Sequence, residues 1–194
     1  LAPASKGDMA FIMHSLSWLA NNGAAAIVCF PGIMYRGGAE QKIRKYLVDN
    51  NYVDAIIQLP SNLFLNVTIS VDIMVLRKNK TDNGIMFVDA SGEFVKVTKN
   101  NRLTEANIHR IVSAVADRKD VDHFCRLVPN DEVGSKENAY NLSVSTYVEA
   151  EDTREKVDIV KLNAEIAEIV AREAVLRAEI DKIIAEIREL AENS

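Results

Sequence analysis

The strongest constraint lies toward the C-terminal end. Positions Ile159, Leu162, Ile166, Ile169, Glu173, Leu176, Ile180, Ile183, Ile187 and Leu190 alternate in steps of three and four, and every one except Glu173 is Leu or Ile. Such a seam, sustained over roughly four and a half heptads, specifies a long helix that buries one face against partner helices. Val160, Val170, Val175 and Ile184 flank it. The apolar stripe is therefore wider than a two-stranded zipper needs, and a bundle of about three or four helices is expected. The pattern leaves open whether the partner is a different chain or a second copy. Glu173, at an a position, either turns its carboxylate out of the seam or marks the register by meeting a basic residue of the partner.

Upstream, two apolar runs, 24–30 and 53–59, are each stopped by a proline, Pro31 and Pro60. Between them Gly37-Gly38 opens an amphipathic helix. Its apolar face carries Ala39, Ile43, Tyr46 and Leu47; its basic face carries Gln41, Lys42, Arg44 and Lys45, with Arg36 nearby, and solvation is the simplest account of that face. Nearly continuous apolar runs predict strands covered on both faces of a parallel sheet, with the chemistry carried by the loops leaving their carboxyl ends, 31–38 and 60–67. Residues 69–76, interrupted by Asp72, are expected to add a strand; the link to it is short enough for an antiparallel return. Asp8 is placed to cap a helix with Met9, Ile12, Met13, Leu16 and Leu19 that stops at Gly23. Residues 85–88 and 95–97 are expected to pair as a hairpin. Thr104 should cap a helix with Ile108, Ile111, Val112 and Val115 on its apolar face, and 120–147 should hold short irregular elements. The expected division is 1–118 for sheet, hairpin and helix, 119–155 for an irregular connection, and 156–194 for the bundle helix.

Composition closes several routes. A formal charge of -5 and a pI near 5.3 argue against a free-standing nucleic-acid binder, leaving the positive charge to a partner. Cys29 and Cys125 have neither metal-ligand spacing nor a disulfide framework, and read as reduced thiols of a cytoplasmic protein. No apolar run reaches the length of a membrane span, and no signal-peptide pattern is present. His14, His109 and His123 lie far apart, so no metal site is assigned. Dinucleotide, Walker and GxSxG motifs are absent. Leu1 in place of an initiator methionine reads as a piece of a longer protein.

One ordered combination does carry a resemblance. AAAIVCFPGIMYRGGAEQKIRKYLVDNN, AIIQLPSNLF, a strand ending LRKNK, FVDASGEF, RLTEANI and YNLSVSTYVE occur in that order. They resemble the later part of the methylation (M) subunit of type I restriction-modification systems, from about Gly7 to the C-terminal helix. The resemblance implies an α/β fold: the C-terminal part of a Rossmann-like methyltransferase sheet followed by a long C-terminal helix for helix-bundle packing. It implies adenine-N6 DNA methyltransferase activity, with S-adenosylmethionine as methyl donor, in the full-length subunit. The family holds its cofactor on a glycine-rich loop and a flipped adenine on an Asn-Pro-Pro-aromatic tetrapeptide. Neither occurs in this sequence. No catalytic residue is therefore assigned, and the chain alone is expected to bind no cofactor and to be inactive.

By the same resemblance, Phe64 stands where an aromatic residue of related adenine methyltransferases stacks on the extruded base. Leu65, Asn66 and Val67 depart from the residues usual after it, and a loop Phe tucked into the core is the competing reading. Arg36 is the expected phosphate or base-edge contact, with capping of a strand end as its alternative, and Lys42 is a second expected DNA contact. The terminal helix would dock on the specificity (S) subunit, which holds the target information. The restriction (R) subunit, a second M subunit and double-stranded DNA are further implied partners. Two other classes remain beside this one: a non-catalytic, helix-mediated interaction module derived from a methyltransferase, and a small α/β nucleotide-binding protein, for which no phosphate loop is visible.

Overall fold

The computed structural model describes residues 6–151 and 159–192, with side chains to residue 187. Two units are present, 1–151 and 152–194. In the first, five strands form a mixed sheet in the order β1-β3-β2-β4-β7. β1 (Ala24–Cys29) and β2 (Val53–Gln58) run in the same direction, as a strand-helix-strand unit requires, yet they are not neighbours. β3 (Asp72–Arg77) lies antiparallel between them, with Asp72 opposite Cys29 on one side and Gln58 on the other. β4 (Gly84–Asp89) joins the far edge of β2 in parallel, and β7 (Cys125–Pro129) runs antiparallel to β4.

Residues 85–88 and 95–97 do not form the expected hairpin. Ile85, Met86, Phe87 and Val88 are apolar toward both faces and fully buried, so β4 belongs in the main sheet. β5 (Val95–Val97) is exposed and pairs instead with β6 (Asn100–Arg102). The irregular connection expected over 119–155 is also corrected. β7 completes the sheet, and Val128, Val133, Leu142, Val144 and Val148 fill its core. β7 is short, with Arg126 and Pro129 exposed and only Cys125 and Val128 buried, which weakens any apolar signal. β1, expected to be covered on both faces, is an edge strand with Ala24, Ala26 and Val28 exposed.

The helices partition between the two faces. α1 (Asp8–Trp18) and α2 (Ala39–Asp49) bury Met9, Ile12, Leu16, Ile43 and Leu47 in one core. The cap position of α1 is Gly7, not Asp8, and the helix stops at Trp18, leaving Gly23 just ahead of β1. α3 (Glu105–Asp117) lies on the other face, its start closed by Thr104 and Asn107 in a reciprocal capping box. Ile111 is buried there, while Ile108 and Val112 of the same apolar stripe stay exposed.

The basic face read on α2 hides its most consequential residue. Tyr46 is exposed, whereas Arg44 is fully buried. Its Nε donates to the Tyr140 carbonyl and its Nη1 to the Ile33 carbonyl, both at 2.8 Å. Burial pushes the guanidinium pKa down to about 10, although Glu40 favours the charge. Arg44 thus fastens the loop after β1 and the segment after the short helix α4 (Asn130–Val133) to α2. In the second unit, α5 (Ile159–Glu192) is one helix of 34 residues.

Arg44→Ala leaves the buried Ile33 carbonyl and the half-buried Tyr140 carbonyl without their partner, and urea denaturation is expected to show a loss of about 3 kcal/mol. Arg44→Lys should restore little, because a single ammonium lacks the planar fork that serves both carbonyls.

Candidate functional site

The carboxyl ends of β1, β2 and β4 open onto one edge of the sheet. The ends of β1 and β2 are two strand spacings apart, about 10 Å, and the first residue of β3 fills the gap. That residue is Asp72, 4% exposed, with Cys29 and Gln58 opposite it. Burial pushes its carboxyl up to about 6, and burial pushes the Cys29 thiol up to about 11, which leaves it unreactive. From sequence Asp72 is only an interruption in an apolar run. Its usable signal is a carboxylate at the head of a strand returning between two loop-bearing strands.

The loop after β1 opens with one 3-10 turn, Pro31–Met34. Arg36 then folds back, its guanidinium 5.1 Å from the centre of the Phe30 ring and its Nη1 3.7 Å from Glu40 Oε1. A Cβ at Gly32 would come within 2.5 Å of Arg36 Nη2 and 2.6 Å of the Phe30 ring, so glycine is what permits this fold-back. The contacts of Arg36 are thus with Phe30 and Glu40, not with a strand end. Lys42 lies exposed near the start of α2.

The loop after β2 is pinned from two sides. Leu63 and Val67 pack onto the core, and Val67 N–H donates to the Phe64 carbonyl at 3.1 Å. Asn62 and Asn66 take positive φ, 52° and 61°, which asparagine tolerates. From β6, Asn101 N–H donates to the Asn62 carbonyl (2.9 Å) and Asn101 Nδ2 to the Ser61 carbonyl (2.8 Å). The consequence is that Phe64, 41% exposed, and Leu65, 81% exposed, are held outward. Phe64 is not tucked into the core.

The opposite end of the strands is a clamp. Arg118, left-handed at the end of α3, reaches Asp54 (3.0 Å) and Asp82 (2.7 Å), and Arg77 reaches Asp54 (3.2 Å). Lys80 donates to the Val53 and Gly84 carbonyls, and burial pushes it down to about 8. Among the described residues no group of three or more His, Cys, Asp or Glu side chains is placed to hold a metal ion. At the loop-bearing end the space over Gly32 is filled by Arg36 and Phe30, and the carboxylate at the strand ends, Asp72, is buried.

The seam residues of α5 are presented to solvent. Ile159, Leu162, Ile166, Ile169, Leu176, Ile180, Ile183 and Ile187 are all exposed, as is Glu173, while the Leu190 side chain lies outside the described residues. No described helix is long and apolar enough to cross a membrane.

Comparison with known proteins gives consistent matches. Residues 1–156 match the N-6 DNA Methylase family. The type I restriction enzyme MpnII methylase subunit of Mycoplasma pneumoniae is 49% identical over 97% of this chain and 34% of its own length. The MjaVII methylase subunit of Methanocaldococcus jannaschii is 38% identical over 88% of this chain and 30% of its own length. Among solved structures, the type I restriction-modification methyltransferase subunit from Streptococcus thermophilus superposes with a TM-score of 0.75 at 40% identity. It covers 78% of this chain and 32% of that one. The chain spans about a third of the length of the curated relatives it matches.

Asp72 yields a pH test. Its folded pKa, about 6, lies above its ordinary value of 3.8. Its contribution to stability is therefore full below about pH 4 and lost as pH rises through 6. Asp72→Asn, neutral throughout, is expected to be more stable than the parent at pH 8 by up to about 3 kcal/mol, the advantage vanishing near pH 4. Urea denaturation at the two pH values reads it.

Proposed function

The chain belongs to the N-6 DNA methylase family, and from that premise we propose that it is a portion of the adenine-N6 methyltransferase subunit of a type I restriction-modification complex. In the full-length subunit the methyl group passes from S-adenosylmethionine to adenine. Cofactor binding and the transfer chemistry are supplied by the rest of that subunit, since neither the glycine-rich loop nor the Asn-Pro-Pro-aromatic tetrapeptide lies in this sequence. The chain's own contributions are one wall of the base site and a docking helix.

The observation that carries this reading is Phe64, held out of its own core by a pinned turn at the strand edge. Extruding a base costs a few kcal/mol. An aromatic ring already outward accepts the extruded adenine without rearranging, and such stacking is worth about 1–3 kcal/mol. Arg36, partly balanced by Glu40, borders the same edge and meets phosphate through its exposed remainder; Lys42 on α2 adds a second phosphate contact. α5 docks its Ile/Leu seam on the S subunit, which carries the DNA target, and a second M subunit and the R subunit complete the assembly.

The exposed seam of α5 also favours a second reading, an interaction module in which the sheet serves only as a base for the helix. Phe64→Ala in the full-length subunit, assayed with its S subunit, separates the two. Methylation of target DNA is expected to fall roughly 10- to 100-fold, with S binding unchanged and activity largely kept by Phe64→Trp. Methylation at the parent rate would remove the stacking role. Ile180→Asp is expected to abolish capture of the S subunit in a pull-down while leaving the unfolding of the sheet unit unaltered. Undiminished capture would sink the docking role of α5.

A further inference from the structure

The seam of α5 holds one charge, and its position is informative. Glu173 is the fifth of the ten seam positions, at the middle of the helix. Its neighbours along the seam, Ile169, Leu176 and Ile180, are 67%, 52% and 56% exposed. Among the described residues no ion pair reaches Glu173; the ion pair described within α5 is Lys161–Glu165, near its start.

A second copy of α5 fits badly in either direction. A parallel pair in register sets Glu173 against its own counterpart. An antiparallel pair matched along the whole seam returns the middle to the middle, so the two carboxylates again fall within one layer of each other. Either way two like charges fall in the same layer or in adjacent layers that closing the seam removes from water. A helix with Arg or Lys at that level turns the same position into an ion pair.

We propose that Glu173 makes the seam of α5 reject a second copy of itself and select a different chain's helix bearing Arg or Lys opposite it. This rests on the docking reading of α5 and adds the chemistry of the helix it accepts.

The test uses the full chain in two measurements. In sedimentation equilibrium, Glu173→Ile is expected to self-associate at least ~10-fold more tightly than the parent. Adding Ile180→Asp should reverse that gain, which locates the association in the seam and not at the open edge of β1. In fluorescence anisotropy, two labelled synthetic helices with an Ile/Leu seam serve as probes, differing only in Arg or Glu at the central seam position. The parent is expected to prefer the Arg probe by ~10-fold or more, and Glu173→Arg should invert the preference. Equal binding of both probes, parent self-association as tight as that of Glu173→Ile, or a gain that Ile180→Asp leaves intact would each overturn the proposal while leaving docking on the S subunit open. If neither probe binds the parent or Glu173→Ile, helix docking itself fails, and the proposal with it.

Discussion

The insertion of β3 between β1 and β2 is the constraint on which the rest of the sheet unit depends. One antiparallel strand supplies hydrogen-bond ladders to both neighbours, so its register sets how far apart their carboxyl ends stand. That register places Asp72 between Cys29 and Gln58, and the loops bearing Arg36 and Phe64 leave from either side of it. Had β1 and β2 paired directly, the two loops would be one strand spacing apart, about 5 Å, with no gap between them for a third element. A buried carboxyl at the head of β3 is the energetic cost of this arrangement, visible in its raised pKa.

Cations hold the ends of the strands in place, and one of them, Arg44, is fully buried. Arg44 joins α2 to the loop after β1 and to Tyr140, giving the candidate site a rigid floor. Arg118, Lys80 and Arg77 gather Asp54, Asp82 and the Val53 and Gly84 carbonyls at the opposite end. Arg44 satisfies backbone carbonyls, and Arg77 and Arg118 the buried Asp54 carboxylate, that burial would otherwise strand. The loop bearing Phe64 is held separately, by the hydrogen bonds from Asn101 to the Ser61 and Asn62 carbonyls.

Among the described residues two apolar surfaces stay open. One is the face of β1 and β3, where Ala26, Ile73 and Val75 with Ile108 and Val112 of α3 line a groove of about 440 Å³. The other is the α5 seam. Contiguous exposed apolar surfaces of this kind mark places that another segment or chain covers. The seam differs from the groove in carrying a charge at its centre, which gives it a preference among occupants and not merely a need for one.

The local signals were legible in the sequence: the heptads of α5, the prolines ending the β1 and β2 runs, the Thr104 cap, the short return to β3, and the blocks that identify the family. Each is written in neighbouring residues or in a short period. What only the tertiary structure decided depends on residues far apart in the chain. Arg44 reads as one more cation on a solvated helix face, and becomes a buried clamp because the Tyr140 carbonyl, 96 residues away, comes to meet it. β4 reads as half of a hairpin, and belongs to the main sheet because β2 and β7 cover its two edges. Phe64 could equally have faced inward; Asn101 of β6, bonding back to Ser61 and Asn62, turns it out. Periodicity specifies which face of an element is apolar, but adjacency and register follow from long-range pairing, and those place the loops, the buried charges and the candidate site.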